Sequence, residues 1–382
     1  MPTRRLYYED VYRRDFSAAV VECREKGENF EVCLTETAFF PEGGGQPADH
    51  GMLGNAHVLD VHEKEGEVWH LTDAPLTSGE RVEGHIDWER RFDLMQQHSG
   101  EHIVSGLIAN LYGYRNMGFH MGEDVITIDL SGLLTWEDLT KLEKMANEVI
   151  AKDGLTEIFY PSPEGLETLE YRSKKEIEGE VRIVRFPGAD TCACCGTHVM
   201  HAGEIQLVHL LSVQKFHEGV RVEMISGQRA IRYLCALDEQ NREISRLLSA
   251  KPLSTGAAVN RLQEEAFALR GRVRSLEEEL FTYKAAAQEG KGDVLLFEEG
   301  LESDSLRRYT DMVMHSCGGR CAVFSKNPDG SFKYAMGEEN GNLTAFVKEM
   351  NKALNGRGGG KPFFVQGSVQ ADRESIEAFF AK

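Results

Sequence analysis

The chain has 382 residues, 41% of them hydrophobic and 27% charged, and its 62 acidic against 43 basic side chains give a formal net charge of −19. That length allows two or three domains with separate cores, and the acidity argues against a protein that coats nucleic acid through a generally basic surface, though not against a local basic face. No run approaches the ~20 apolar residues of a membrane span, and the N-terminus lacks an apolar signal core, so a soluble cytoplasmic protein is expected.

From Tyr7 to Gly84, short β-like runs such as Ala18–Cys23, Phe30–Leu34, Ala56–His62 and Glu67–Leu71 alternate with Gly and charged turns, which predicts a small β-barrel over 1–86. Inside it lies Phe39-Phe-Pro-Glu-Gly43-Gly44-Gly45-Gln46-Pro. Three glycines let backbone approach a ligand closely and expose amide donors. Gln46 adds one side chain that both donates and accepts. A plain hairpin loop explains the glycines equally well if they are taken alone.

Asp87-Trp-Glu-Arg-Arg leads into a helix carrying His98 and His102, with Leu94, Ile103, Leu107, Ile108 and Leu111 as its apolar stripe. Residues four apart share a helical face. Cys194 and His198 repeat that separation in Cys194-Cys-Gly-Thr-His198. Three imidazoles and one thiolate form a chemically ordinary zinc set, so these four residues are the predicted ligands of one Zn2+ per chain. Cys192 and Cys195 leave open which sulfur binds, and the spacing favours Cys194. Read alone, His98-x-x-Glu101-His102 also fits a zinc-peptidase pattern with Glu101 as general base. Between the two ligand pairs a second helix is expected from Thr135 to about Lys152. Strands are expected at Val125–Leu130, Val181–Phe186 and Ile205–Leu211, making 87–235 an α+β body.

Val259, Leu262, Ala266, Leu269, Val273, Leu276 and Leu280 alternate by three and four, a heptad seam within 236–290. Antiparallel packing against an earlier helix, expected from Asp238 to Leu248 of the same chain, competes with pairing of two chains. From 291 to 382 a small α/β domain is expected, with strands near Val294–Phe297 and Cys321–Ser325, a helix from Asn342 to Leu354, and a flexible glycine loop holding Arg357 and Lys361.

The series Thr37-Ala-Phe-Phe-Pro-Glu-Gly-Gly-Gly-Gln46-Pro, Asp87-Trp-Glu-Arg-Arg, His98-x-x-x-His102, Gly118-Phe-His and Cys194-Cys-Gly-Thr-His198 resembles the editing domain of alanyl-tRNA synthetase. Without a synthetase catalytic domain the sequence is more similar to the free-standing AlaX editing proteins. Likeness to the long form continues through Gly219–Gly227, the heptad helix and the glycine-rich tail. Cys195 stands where the synthetase motif usually has glycine.

The resemblance implies a trans-editing aminoacyl-tRNA deacylase that hydrolyses the ester of tRNA(Ala) mischarged with serine, and perhaps glycine. It implies zinc at His98, His102, Cys194 and His198, and a pocket of Thr37, Gly43, Gly44, Gly45 and Gln46, with Thr37 and Gln46 bonding the serine hydroxyl. Glu101 is a candidate base. The tail would contact the tRNA body, and Arg357 and Lys361 are the candidates there to reach phosphates; independently of the resemblance, the heptad seam makes a homodimer through the coiled coil and the tail an expectation. A zinc metallopeptidase and a noncatalytic tRNA-binding protein with structural zinc are the competing readings.

Overall fold

The computed structural model describes residues 2–173 and 179–381. The fold is mixed α+β and divides into two compact units, residues 1–241 and 242–382.

In the first unit, six strands close a barrel in the order Asp15–Lys26, Asn29–Leu34, Glu67–Thr72, Ala56–Lys64, Gly51–Leu53 and Arg81–Ile86, with the last pairing back onto the first. Alternate residues such as Phe16, Ala18, Val20, Val32 and Leu34 point into its core, as the two-residue side-chain period of a strand requires. The two strands missing from the sequence reading, Gly51–Leu53 and Arg81–Ile86, are short or strongly polar.

The histidine helix, Trp88–Tyr112, starts where the Asp87 carboxylate accepts from Arg90 N at 3.2 Å and stops at left-handed Gly113. Every residue from Leu94 to Ile108 is buried. The expected one-sided apolar stripe is therefore corrected: the helix is enclosed on all sides, and Leu111, assigned to that stripe, is exposed. Its buried polar side chains need partners, because an unpaired buried group costs about 1–3 kcal/mol. Gln97, for example, exchanges hydrogen bonds with both Ser226 N and Ser226 O.

Against this helix pack a four-stranded antiparallel sheet, ordered Val208–Phe216, Gly219–Ser226, Ile126–Leu130, Asn116–Met121, and a three-stranded sheet of Glu157–Phe159, Ile183–Phe186 and Asp190–Ala193. The second helix is Trp136–Ala151, with Thr135 and Asp138 in a reciprocal capping box. Ile205 lies in a 3-10 turn rather than a strand, because Gln206 takes φ +67° and the strand begins only at Val208. The helix expected from Asp238 starts earlier, at Gly227, whose φ of +58° turns the preceding strand directly into it.

The second unit carries the helix Thr255–Ala286, on which Val259, Leu262, Leu269, Val273, Leu276 and Leu280 are exposed. Its C-terminal end buries Phe281 and Ala285 against the helix Ser303–Cys317. A five-stranded sheet follows, ordered Gly292–Glu299, Gly318–Lys326, Phe332–Gly337, Phe364–Val369, Gly356–Lys361, with only the first pair parallel. The helix Ser303–Cys317 covers one face, and the helices Thr344–Ala353 and Arg373–Phe380 cover the other.

The expected glycine loop is an edge strand. A Cβ on Gly358 would sit 2.4 Å from both Tyr334 Oη and Gln366 O, so the glycines are what allow this strand to pair. Arg357 and Lys361 share its opposite face and are exposed. No helix among the described residues is long and apolar enough to cross a membrane.

Candidate metal centre

One turn of the histidine helix aligns His98 and His102 with ring centroids 5.2 Å apart, and His198 stands 4.5 Å from each. Cys194 Sγ lies 3.5 Å from His98 Nε2. One ligand atom from each of these four residues falls within 4.8 Å of the others. Tetrahedral donors ~2.0–2.3 Å from a common zinc stand roughly 3.3–3.8 Å from one another, so small side-chain adjustments suffice.

The second nitrogens of the imidazoles are already committed. His98 Nδ1 donates to Gln46 Oε1 at 3.0 Å, His102 Nδ1 to Asp190 Oδ2 at 2.9 Å, and His198 Nδ1 pairs with Ser99 Oγ at 3.3 Å. This is the outer-shell pattern that fixes a tautomer and aims the remaining nitrogen at a metal. His198 Nε2 is buried and has no hydrogen-bond partner among the described residues. A metal ion would satisfy that orphaned atom, so the residues present fit such a group.

Electrostatics distinguish Cys194 from its neighbour Cys192. Burial pushes the Cys192 thiol up to about 12, keeping it protonated. Burial also raises Cys194, but the His98 and His102 imidazoles outweigh it and hold this thiol well below its ordinary value. A thiolate is the form that binds metal. Burial opposes protonation of His102, yet Cys194 and Asp190 raise it to about 9. Burial, then His98 and His102, push His198 well below its usual value. Asp190 is itself gripped by Arg172 through two 2.7 Å bonds.

The turn carrying Cys194 is clamped by residues with no sequence signal. Arg182 Nη1 donates to Cys194 O at 2.7 Å and Gly196 O at 3.0 Å, and Tyr8 Oη donates to Cys195 O at 2.8 Å. A cavity of about 650 Å³ opens beside the cluster, lined among others by Arg5, Tyr8, Gly44, Gly45, His98, His102, Phe119, Arg182, Cys194 and Cys195.

Gly44 and Gly45 turn at φ +63° and +85°, while Gly43 and Gln46 exchange backbone bonds of 3.1 and 3.0 Å. Two successive positive φ values make this a turn that glycine adopts without steric cost. A Cβ on Gly45 would meet Phe119 Cδ1 at 2.5 Å. Gly43 and Gln46 do not line the main cavity. Instead, Gln46 is fully buried, with Nε2 donating to Thr197 Oγ1 at 2.7 Å and Oε1 accepting from Thr197 N at 3.1 Å as well as from His98.

Thr37 is not brought to the cavity; its hydroxyl pairs with His70 Nε2 at 2.8 Å inside the barrel. Glu101 also lies outside the cavity lining. Its Oε1 accepts from Ser105 Oγ and Asn116 Nδ2, both at 2.6 Å. Arg357 and Lys361 belong to the second unit. Ser99 and Thr197 were assigned no role from the sequence, although their place between the paired ligands is a signal that could have found them. Asp190, Arg172, Tyr8 and Arg182 are supplied by other segments.

Family models match three stretches: tRNA synthetases class II (A) at residues 7–90, the threonyl and alanyl tRNA synthetase second additional domain at residues 181–223, and the DHHA1 domain at residues 289–382. Two of these descriptions give the class, a protein with tRNA-synthetase modules in the unit that carries the candidate metal centre. The alanyl-tRNA editing protein AlaX-L of Pyrococcus horikoshii is 30% identical, over 97% of this chain and 96% of that protein. The alanyl-tRNA editing protein Aarsd1-A of Xenopus laevis is 28% identical over 98% and 96%. An alanine–tRNA ligase of Halorubrum lacusprofundi is 30% identical over 96% of this chain, which spans 42% of the ligase. The chain belongs to the family of alanyl-tRNA editing proteins.

Proposed function

We propose that the protein is a cytoplasmic, zinc-dependent trans-editing deacylase that hydrolyses the ester of tRNA(Ala) mischarged with serine and, secondarily, glycine. The observation that carries this reading is the convergence of His98, His102, Cys194 and orphaned His198 Nε2 beside a cavity walled by Gly44 and Gly45. An alanine-sized synthetic pocket rejects a merely hydroxylated or smaller side chain poorly, so fidelity calls for a second, hydrolytic site. A bound zinc would supply a Lewis acid that polarises the ester or orients the attacking water.

The chain's own residues do the rest. Gln46 holds His98, and Asp190 with Arg172 holds His102. Gly44 and Gly45 let the aminoacyl end reach main-chain amides. Thr37 and Gln46 enter this reading as supports, anchoring His70 and His98, rather than as direct partners of the serine hydroxyl. Glu101, tied to Ser105 and Asn116, is not assigned as the base.

A four-ligand set is also what structural zinc sites have, and one assay separates the two roles. Purified protein and Cys194→Ala are incubated with Ser-tRNA(Ala), Gly-tRNA(Ala) and Ala-tRNA(Ala), and ester loss is followed. Serine release that Cys194→Ala abolishes is expected. Inertness of the zinc-loaded wild type toward all three, with tRNA still bound, leaves only the structural role.

Two further parts complete the reading. Arg357 and Lys361, exposed on one face of the edge strand, contact tRNA phosphates. The exposed seam of Thr255–Ala286 pairs with a second copy of this chain. In a parallel, in-register pair, Glu265 at a g position faces Arg270 of the partner subunit at e, an attractive arrangement. Sedimentation of the full chain is expected to show a dimer that Leu269→Lys/Val273→Lys splits. A monomeric wild type removes this part of the reading.

A further inference from the structure

A second cavity, about 440 Å³, shares Gly45 and Phe119 with the first and is lined further by Glu42, His50, Asp60 and Arg90. Both volumes lie in the ~300–1,000 Å³ range that encloses a small molecule or a nucleoside. The shared wall is built rather than incidental. Gly45 leaves room for the Phe119 ring, where a Cβ would stand 2.5 Å from Cδ1. That ring in turn stacks on His98 at 5.5 Å and 25°. The metal cluster and the second cavity are therefore separated by one aromatic ring and one turn.

The chemistry of the second cavity is mixed in sign. Arg90 is half-buried, and among the described residues the one hydrogen bond of its guanidinium runs from Nε to Ala48 O at 3.2 Å, leaving both Nη groups as donors. Asp60 Oδ1 accepts from Val61 N at 2.9 Å, leaving Oδ2 as an acceptor. Burial and then Arg90 hold His50 below its ordinary value, so it adds no charge at neutral pH. A phosphate would meet Arg90 but also Asp60 and Glu42. An apolar ligand would strand the guanidinium. A planar base edge carrying a donor beside acceptors satisfies both. Cytosine presents that pattern, with its N4 amino group suited to a carboxylate and N3 and O2 suited to a guanidinium. Uracil reverses it at two of the three positions. Single-stranded RNA ends are read in this way, on the Watson–Crick edges of unstacked bases.

We propose that this second cavity is a base-reading subsite for the cytosine that precedes the terminal adenosine of the tRNA, with Asp60 accepting from N4 and Arg90 donating to N3 and O2. The inference rests on the deacylase reading, in which the ester-bearing adenosine occupies the first cavity. Because every mature tRNA ends in CCA, such a subsite does not choose among tRNAs. It sets the register of the 3′ end so that the ester reaches the metal cluster.

The test uses the zinc-loaded full chain and serine-acylated minihelix RNAs ending in CCA or CUA, acylated chemically so that charging is independent of sequence. Good bidentate base contacts discriminate by about 10- to 100-fold, so kcat/KM on the CUA substrate is expected to fall by that much, chiefly through KM. Asp60→Asn can donate to uracil O4 as well as accept from cytosine N4. It is expected to rescue CUA relative to CCA, an effect that a merely structural role of Asp60 would not produce. Arg90→Met is expected to raise KM for CCA to near the CUA value. Wild type that hydrolyses both substrates within twofold overturns the subsite and leaves the deacylase reading standing. If neither ester is hydrolysed, the deacylase reading fails, and binding of the same two RNAs carrying a non-hydrolysable 3′-amide decides the subsite: equal affinity overturns it, and tighter binding of CCA that Asp60→Asn abolishes supports it.

Discussion

Removing the Asp49 carboxylate is expected to cost the first unit about 3–5 kcal/mol, the range for breaking a buried ion pair and leaving one charge uncompensated. Asp49 and Arg91 are both fully buried. Arg91 Nε reaches the two carboxylate oxygens at 2.9 and 3.0 Å, Nη2 bonds both Asp49 and Ala38 O, and Nη1 donates to Val11 O at 3.1 Å. Phe40 N donates to Asp49 Oδ2 at 2.6 Å. The pair therefore ties the loop holding Gly43–Gln46 to the helix holding His98 and His102. In Asp49→Ala the guanidinium keeps two carbonyl partners among the described residues, Val11 O and Ala38 O. In Arg91→Met the carboxylate keeps only Phe40 N among the described residues. The double variant removes both charges, and its cost should fall at least ~2 kcal/mol short of the sum of the singles, as for residues in direct contact. Urea unfolding followed by tryptophan fluorescence reads this unit alone, because the three tryptophans, Trp69, Trp88 and Trp136, all precede residue 242. A cost below ~1 kcal/mol for Asp49→Ala, or additive costs in the cycle, would refute the reasoning.

Burial holds His70 neutral, with its protonation lowered from 6.5 to about 4. An unfolded chain takes up this proton below pH 6.5 while the folded one does not, so stability is lost as pH falls from 6.5 to about 4, by about 3 kcal/mol at ~1.36 kcal/mol per pH unit. The wild-type advantage over His70→Gln should shrink across that window, and a constant advantage would show that His70 is not the titrating group. Gly45→Ala forces a side chain at φ +85° into the Phe119 ring, whereas a Cβ on Gly43 meets its nearest atom, Cys195 Sγ, at an ordinary 3.6 Å. Deacylation should fall at least ~10-fold in the first and within about threefold in the second, given that strained left-handed positions cost ~1–3 kcal/mol; equal losses would count against the turn as a cavity wall. If Arg357 and Lys361 each neutralise one duplex phosphate, their joint replacement by alanine lowers the slope of log affinity against log salt by about 1.8. An unchanged slope would detach the edge strand from tRNA binding.

Much of the candidate site could be read because its chemistry is local. His98 and His102, and Cys194 and His198, are pairs whose spacing carries their meaning before any fold is known. The barrel strands with alternating apolar residues, the capping box at Thr135 and the seam of the 255–286 helix are likewise local patterns. The short polar strands Gly51–Leu53 and Arg81–Ile86 lack such a pattern, and only closure of the barrel makes them strands. The same holds for Gly356–Lys361, which reads as a loop by composition yet becomes a strand because Tyr334 and Gln366 leave room for nothing larger than glycine at Gly358.

What the sequence by itself determined was the candidate donor set and the family, since donor type and spacing survive any arrangement of the rest. Tertiary structure alone decided the direction of each polar side chain. It turned Thr37 inward to His70, spent the Gln46 amide on His98 and Thr197, tied Glu101 to Ser105 and Asn116, and brought Tyr8 to a turn 187 positions away. The physical reason is burial: a hydroxyl, amide or carboxylate enclosed in protein must take whichever partner the surrounding fold supplies, and for Thr37, Gln46 and Tyr8 that partner lies far away in sequence.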